Sequence, residues 1–483
     1  MDDLLLGDAT DQLAALRAGR VSARALLQAA VARTDRLDSV INAVVARDVD
    51  RAMADALAVD EARARGAPLG ALTGLPMTVK DIFDVEGLPA SMGMKSLLGR
   101  SAHDAEAVTR VRAAGAVVWG QTNVPAGSSD LQTYNRLYGV TRNPWDPSRT
   151  PGGSSGGSAA ALAAGLTALE IGADIGGSLR IPASFCGVAC HRPSWGLIPQ
   201  RGMPAPPGFL ADYDLMVVGP MARSVRDLQL LMGVLAGTPL APTPSPRGLR
   251  VGLWLDEPSF PLDPAVRTVI EAFAVRLGGE GAAVQHIGAP LPVRPMLEAY
   301  MTLLAALLGA FLNPLARGGF DLFRGPAKIA KAMGVGPLSW ASGVLGYTAR
   351  HYEWLSANEA RARMKIEIAA AFESNDVIIA PVAPTAAPAH NNRLPPGARR
   401  IAMSDGRRFP YLEQVDWIVL AILCDLPASV IPIGCTAGGL PVGLQVIGPP
   451  RGDAATLATA ACLEGLSGGY RAPPGLDALV ARG

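Results

Sequence analysis

The sequence predicts an α/β layer protein built on a largely buried, mixed β-sheet. Two observations carry that expectation. Short apolar runs closed by Gly or Pro recur along the chain: Pro76–Val79, Ala116–Trp119, Arg250–Leu255, Val377–Ala380 and Pro441–Ile447. They alternate with stretches of helical apolar spacing, and strands that alternate with helices pair into sheets covered on both faces. No internal repeat and no heptad run competes with this reading. With 483 residues, 49% of them hydrophobic and 18% charged, the chain has enough apolar material for a large core.

In chain order, residues from Thr10 to about Ala64 read as helical, rich in Ala, Leu and Arg, with Leu26, Leu27, Val31 and Leu37 at turn-like spacings. The segment Ala241–Arg247 is the most linker-like and is taken as a surface loop within one domain. Residues 290–350 and 385–412 read as irregular, Pro/Gly-rich insertions bearing Met, Phe and Trp, of the kind that shape pockets on a rigid scaffold. The apolar run Met301–Leu312 is too short to span a bilayer and stops at Asn313-Pro314, and Met1-Asp2-Asp3-Leu4 is not a secretory start, so a soluble cytoplasmic chain without a membrane anchor is expected. Lys plus Arg (43) balances Asp plus Glu (42), which gives no electrostatic reason for nucleic acid or an anionic membrane as partner. The five cysteines (186, 190, 424, 435, 462) sit in apolar settings without a C-x-x-C pair and read as buried thiols.

The chemistry concentrates in Pro151-Gly152-Gly153-Ser154-Ser155-Gly156-Gly157-Ser158 and in Gly172-Ala173-Asp174-Ile175-Gly176-Gly177-Ser178-Leu179-Arg180-Ile181-Pro182. Glycine lets the main chain approach a ligand closely. Ser178 follows two glycines, so its hydroxyl can meet a carbonyl beside exposed backbone N–H groups, as an oxyanion site needs. A tight turn with a helix cap is the plain alternative for either cluster alone. A phosphate loop is excluded, since no lysine lies between 96 and 327. Gly153-x-Ser155-x-Gly157 matches a nucleophile elbow, which would make Ser155 the nucleophile of a Ser–His hydrolase. Pro151-Gly152 stand where a strand should enter such an elbow. Among the five histidines, His390 reads as a solvent-facing loop residue and His191 as structural. No histidine pair has metal-ligand spacing on a helix.

The other way to activate a serine is a neutral lysine. Only five lysines occur (80, 95, 328, 331, 365). Lys80 ends the apolar run Leu75–Val79, and burial among Met77, Val79, Ile82 and Phe83 would disfavour its ammonium form and make it a base. The plain reading is a strand-end lysine paired with Asp81 or reaching for water.

Several motifs, in order, resemble the amidase signature family. They are Gly74–Asp81, Gly120-Gln121-Thr122-Asn123, Asn143-Pro144-Trp145, the Gly/Ser run at 152–158, the Asp174–Pro182 segment and Leu440–Gly448. The likeness covers about residues 10–235 and 376–465. Thr122–Pro125 and Asn135–Gly139 look more like the fatty-acid-amide-hydrolase type than the glutamyl-tRNA amidotransferase type.

The resemblance implies one α/β/α domain over residues 1–483: a helical segment at 1–65, a catalytic core at 66–235 and variable pocket-forming insertions at 290–350 and 385–412. It implies a Ser–cisSer–Lys triad in which Ser178 matches the nucleophile, Ser154 the bridging serine after a cis peptide bond, and Lys80 the base. Ile175, Gly176, Gly177 and Ser178 match the backbone oxyanion hole, and Ser155, Asp174 and Arg180 match supporting residues. No cofactor and no metal are implied. Expected partners are water and a small amide, carbamate or ester, in a monomer or homodimer, with Gly127, Ser128 and Ser129 beside the substrate. An amidotransferase subunit working with partner chains is the other reading within the resemblance. The chain departs from the family's pattern at Cys190-His191-Arg192 and at Asp425.

Overall fold

The structure is a computed structural model, and it describes residues 1–99, 103–203, 210–393 and 395–476. Eleven strands form the two main sheets. Val44–Arg47 (β1), Pro76–Lys80 (β2) and Val117–Thr122 (β3) make a three-stranded sheet in the order β1-β3-β2. Leu169–Asp174 (β4), Ala189–Arg192 (β5), Val217–Ala222 (β6), Arg250–Trp254 (β7), Ala283–Ile287 (β8), Val377–Pro381 (β9), Ala428–Cys435 (β10) and Pro441–Ile447 (β11) make an eight-stranded sheet. Its order is β8-β7-β9-β11-β10-β5-β6-β4, parallel between β8, β7 and β9 and antiparallel onward. Helices cover the sheets, and most central strands are buried along their length, as a doubly covered sheet requires.

The five apolar runs all coincide with strands, each within three residues of its expected ends. The stretch from Thr10 to Ala64 is not continuously helical. Helix Ala23–Ile41 starts at Ser22, whose side chain accepts from Ala25 N, and ends at Asn42 in the left-handed region (φ 56°). The Asp38 carboxylate then accepts from the N–H groups of Ala43 (2.6 Å) and Val44 (2.9 Å), turning the chain into β1 against β3. Asp48 caps the next helix, Val49–Ala64. Pairing across the sheet overrode the local helical composition there.

Residues 290–350 are also different from the expected irregular insertion. They carry the helices Val293–Ala310, Pro314–Leu322, Arg324–Ala332 and Trp340–Tyr347. The first has 18 residues and by length and composition alone could cross a membrane, whereas only a 12-residue run was legible as apolar. Its Met296, Leu297, Tyr300 and Leu303 are buried in the core. Residues 385–412 form a hairpin, Arg400–Ala402 with Arg408–Pro410, clamped to the body at Asp130. Arg399 reaches both Asp130 carboxylate oxygens (3.0 and 2.7 Å), and Tyr411 Oη donates to the same group (2.6 Å).

Beside the Gly/Ser-rich loops, β2 and β4 meet at the seam between the two sheets, where Thr78 N donates to Thr167 Oγ1 (3.0 Å). Alternation along β2 sends Met77 and Val79 to one face and Thr78 and Lys80 to the other. All four are fully buried, and each such apolar side chain contributes about 1.5–3 kcal/mol of burial. Lys80 is thereby carried into the core on a rigid strand.

Candidate active site

Lys80 is 1% exposed, and its Nζ lies 2.7 Å from Ser154 Oγ. Burial drives the lysine down from its ordinary 10.5 to about 7, opposed by the charge of Asp174 and, when it is ionised, that of Glu170. Met77, Val79, Ile82 and Phe83, the residues expected to bury it, are all within the core. The pairing with Asp81 does not form. Asp81 instead accepts from Ser91 N (2.7 Å), Ser91 Oγ and Gly93 N (3.3 Å), and burial lifts its carboxyl to about 6 against those bonds.

Ser154 follows the cis peptide bond Gly153–Ser154. A Cβ on Gly153 would stand 2.6 Å from Asp130 O and 2.7 Å from Gln132 N, so only glycine fits this approach. Ser154 and Ser178 are buried to 2% and 6% exposure, and both line one cavity with Lys80. Ser155 lies elsewhere. It is fully buried, its Oγ has no hydrogen-bond partner among the described residues, and its backbone N donates to Ser178 O (3.2 Å). His191 is buried between Ser429 Oγ (2.9 Å) and Asp453 Oδ1 (3.2 Å), a structural role. The nucleophile-elbow reading of Ser155 therefore has neither an accessible hydroxyl nor a histidine beside it. His390 departs from expectation in being half-buried rather than solvent-facing.

The loop after β4 is held by Asp174. Its carboxylate accepts from Gly177 N (2.9 Å), Leu179 N (3.3 Å) and Arg180 Nε (3.0 Å). Burial opposes ionisation, but the charge and hydrogen bonds of Arg180, the charge of Arg192 and the Gly177 N–H hold Asp174 at about 2. Arg180 also reaches Ile418 O (3.0 Å) and Gln445 Oε1 (3.2 Å), tying the loop to distant parts of the core. Of the four expected oxyanion donors, the Gly177 N–H is thus engaged by Asp174. The N–H groups of Ile175, Gly176 and Ser178 make no hydrogen bond among the described residues.

The shared cavity holds about 620 Å³. Gly127, Ser128 and Ser129 line it, together with Leu307, Leu308, Phe311 and Leu312 from residues 290–350. Residues 385–412 do not; they line a separate cavity of about 720 Å³. Sequence reasoning missed the thioether wall of Met92, Met94, Met203 and Met216 and the ring of Tyr213. Only the alternation in Ser91-Met92-Gly93-Met94 signalled it. Lys80 is the single charged side chain among the described lining residues. The departing residues sit away from this cavity: Asp425 pairs with Lys365, and Arg192 donates to Leu426 O (3.1 Å).

Comparisons with known proteins bear on the family and the fold. The Amidase family model matches residues 25–457. A glutamyl-tRNA(Gln) amidotransferase subunit of Acidothermus cellulolyticus is 34% identical over 496 aligned positions, covering 96% of this chain and 95% of the relative. A solved structure of a vestigial protein complex bearing on the origins of an s-triazine catabolic enzyme is 30% identical, with TM-score 0.79 over 96% of this chain and 100% of the other. The 6-aminohexanoate cyclic dimer hydrolase, solved with its substrate, is 27% identical, with TM-score 0.79 over 98% and 99% of the two chains.

Proposed function

The chain belongs to the amidase signature family, and we propose that within it the protein is a self-sufficient amidohydrolase for small, uncharged, largely apolar amides, anilides or carbamates, with esters as a side activity. The observation that carries this reading is the buried Lys80–Ser154 contact of 2.7 Å at the floor of an apolar cavity shared with Ser178. Neutral Lys80 takes the Ser154 proton while Ser154 takes that of Ser178, whose Oγ attacks the substrate carbonyl carbon. The N–H groups of Ile175, Gly176 and Ser178 receive the developing oxyanion, each such donor typically worth ~3 kcal/mol of barrier. Asp174 and Arg180 hold that loop. Ser154 then returns the proton to the departing nitrogen as the C–N bond breaks. Water repeats the sequence on the acyl-enzyme and frees Ser178 and a carboxylic acid.

The 34% identity to an amidotransferase component favours a second reading, a glutamine-hydrolysing subunit working with partner chains. Glutamine carries an ammonium and a carboxylate, and binding it calls for opposite charges in the pocket. The described cavity offers Lys80 alone, which supports the first reading. The deciding experiment is a screen of the purified chain against chromogenic anilides, aryl carbamates, short and long acyl amides and free glutamine. Turnover of neutral amides at least about tenfold better than of charged ones is expected. Glutamine hydrolysis that appears only with partner chains would overturn the proposal.

Two further outcomes are expected from the same screen. Leu308 stands at the cavity's edge, 37% exposed, so Leu308→Asp should fold normally. It should raise KM for an apolar anilide about tenfold, the equivalent of losing part of one leucine contact; an unchanged KM would remove residues 290–350 from the substrate path. No group of three or more His, Cys, Asp or Glu able to hold a metal occurs among the described residues. Dialysis against EDTA should therefore leave the rate intact, and activity lost there and restored by zinc would sink the serine–lysine scheme.

A further inference from the structure

The mechanism leaves one buried acid next to its base without a role. Glu170 is fully buried on β4, on the same face of the strand as Asp174 by alternation. Thr78, which shares the Lys80 face of β2, donates from Oγ1 to Glu170 Oε1. Oε2 has no well-formed hydrogen bond among the described residues, although the Thr122 and Ser158 hydroxyls, bonded to each other at 2.8 Å, lie close by. A carboxylate in such a place is costly, because two oxygens that want about four hydrogen bonds receive one good one.

The two acids near Lys80 are therefore unlike. Asp174 is ionised, and its charge is answered by Arg180 and by Arg192, whose Nε is 4.0 Å away. Among the described residues Glu170 has no guanidinium partner; its one well-formed hydrogen bond comes from Thr78. Burial lifts it to about 8, opposed by the Thr78 hydrogen bond, by the nearby Ser158 and Thr122 hydroxyls and by the charge of Lys80. The groups bearing on Lys80 are then Ser154, Asp174 and Glu170, while Asp81, next in the chain, is turned to Ser91 and Gly93.

We propose that Glu170 is a positioning residue that sets the proton affinity of Lys80: while it keeps its proton it adds nothing to the counter-charge of Asp174, and once ionised it adds a second negative charge beside the amine and strengthens the base. The inference rests on Lys80 being the base of the proposed reaction. An ionised Glu170 at neutral pH would hold Lys80 as a paired ammonium and idle it. The thinly hydrogen-bonded, apolar setting of Glu170 postpones that ionisation until Lys80 is already neutral. The two groups titrate as a coupled pair, so the signature is a second step in the rate, above the one that belongs to Lys80.

The test is the amide kcat of wild type and Glu170→Gln from pH 6 to 9.5, with melting temperature and fluorophosphonate labelling of Ser178 as checks on folding. Glutamine keeps the shape and the Thr78 bond but has no proton to lose. The ratio of wild-type to variant rate should grow about threefold between pH 7 and 9.5, as expected when a base gains about one unit of proton affinity at a Brønsted slope near one half. A ratio flat across pH, whether near one or low throughout, overturns the proposal. Thr78→Val gives an independent measure. It removes the bond that favours ionised Glu170, so the second step should move to higher pH, and an unmoved step overturns the proposal too, even if Glu170→Gln does not fold. Failure of the underlying reading looks different: wild type would hydrolyse no amide, or Lys80→Arg would turn over normally.

Discussion

Ser178→Ala is expected to abolish amide turnover and covalent labelling by a fluorophosphonate, in a protein that melts where wild type does. Ser178 is the proposed acyl acceptor, and without its oxygen there is no covalent intermediate. Rates should drop by at least about four orders of magnitude, as when a nucleophile is removed from a serine hydrolase that keeps its oxyanion site. Folding should survive. Ser178 lines the cavity, and what fixes its loop is the Asp174 carboxylate on Gly177 N and Leu179 N, untouched by the change. Ser155→Ala is the control. Among the described residues Ser155 is not part of the cavity lining and its hydroxyl has no partner, so that variant should still label. Labelling that persists in Ser178→Ala and vanishes in Ser155→Ala would transfer the nucleophile's role to Ser155.

Much of this was legible in the chain for a physical reason. Runs such as Val377–Ala380 are buried on both faces, so they are apolar throughout and show as strands wherever they pair. The Gly/Ser segments showed equally well, because a main chain passing 2.6 Å from another at a would-be Cβ admits no residue but glycine. The β1 strand did not show. Its direction depends on Asp38 accepting two N–H groups and on β3 lying alongside, which no local pattern encodes. Residues 290–350 misled in the opposite sense: their glycines and prolines sit at helix ends and on exposed faces, as in Asn313-Pro314, where Asn313 caps the helix.

Within the site, residue types predicted chemistry but not assembly. Neither Lys80 nor Ser178 signals the other across 98 positions, and it is the seam of β2 against β4 that brings them to one cavity. Glu170 was invisible for a related reason. A glutamate in Ala168-Leu169-Glu170-Ile171-Gly172 reads as an exposed strand position until Thr78, from the other sheet, closes over it.

Lys80 gives the sharpest contrast between a working base and a buried structural cation. With its ionisation drawn down to about 7 by burial, the neutral amine predominates above that pH. Amide kcat/KM should therefore climb with pH through neutrality, be half-maximal near 7, and level off apart from the small second rise assigned to Glu170. Lys80→Ala should lose at least about a thousandfold against amides, which need both activation of Ser178 and a proton for the leaving nitrogen. Activated esters, whose alkoxide or phenolate departs unaided, should lose far less. Lys80→Arg should not rescue, since a guanidinium stays protonated and cannot accept from Ser154. Removing the lysine should raise stability while it lowers activity. The unfolded lysine holds its proton up to about 10.5 and the folded one only to about 7, so the buried lysine costs stability in full below pH 7, and the cost fades as pH rises toward 10.5. Lys80→Met should then melt higher than wild type at pH 6 to 7 while doing no amide chemistry. A structural lysine predicts the reverse in every respect, with arginine tolerated, methionine destabilising, and amide and ester rates falling together. A well-folded Lys80→Arg enzyme with near-normal amide turnover would end the assignment of Lys80 as the base.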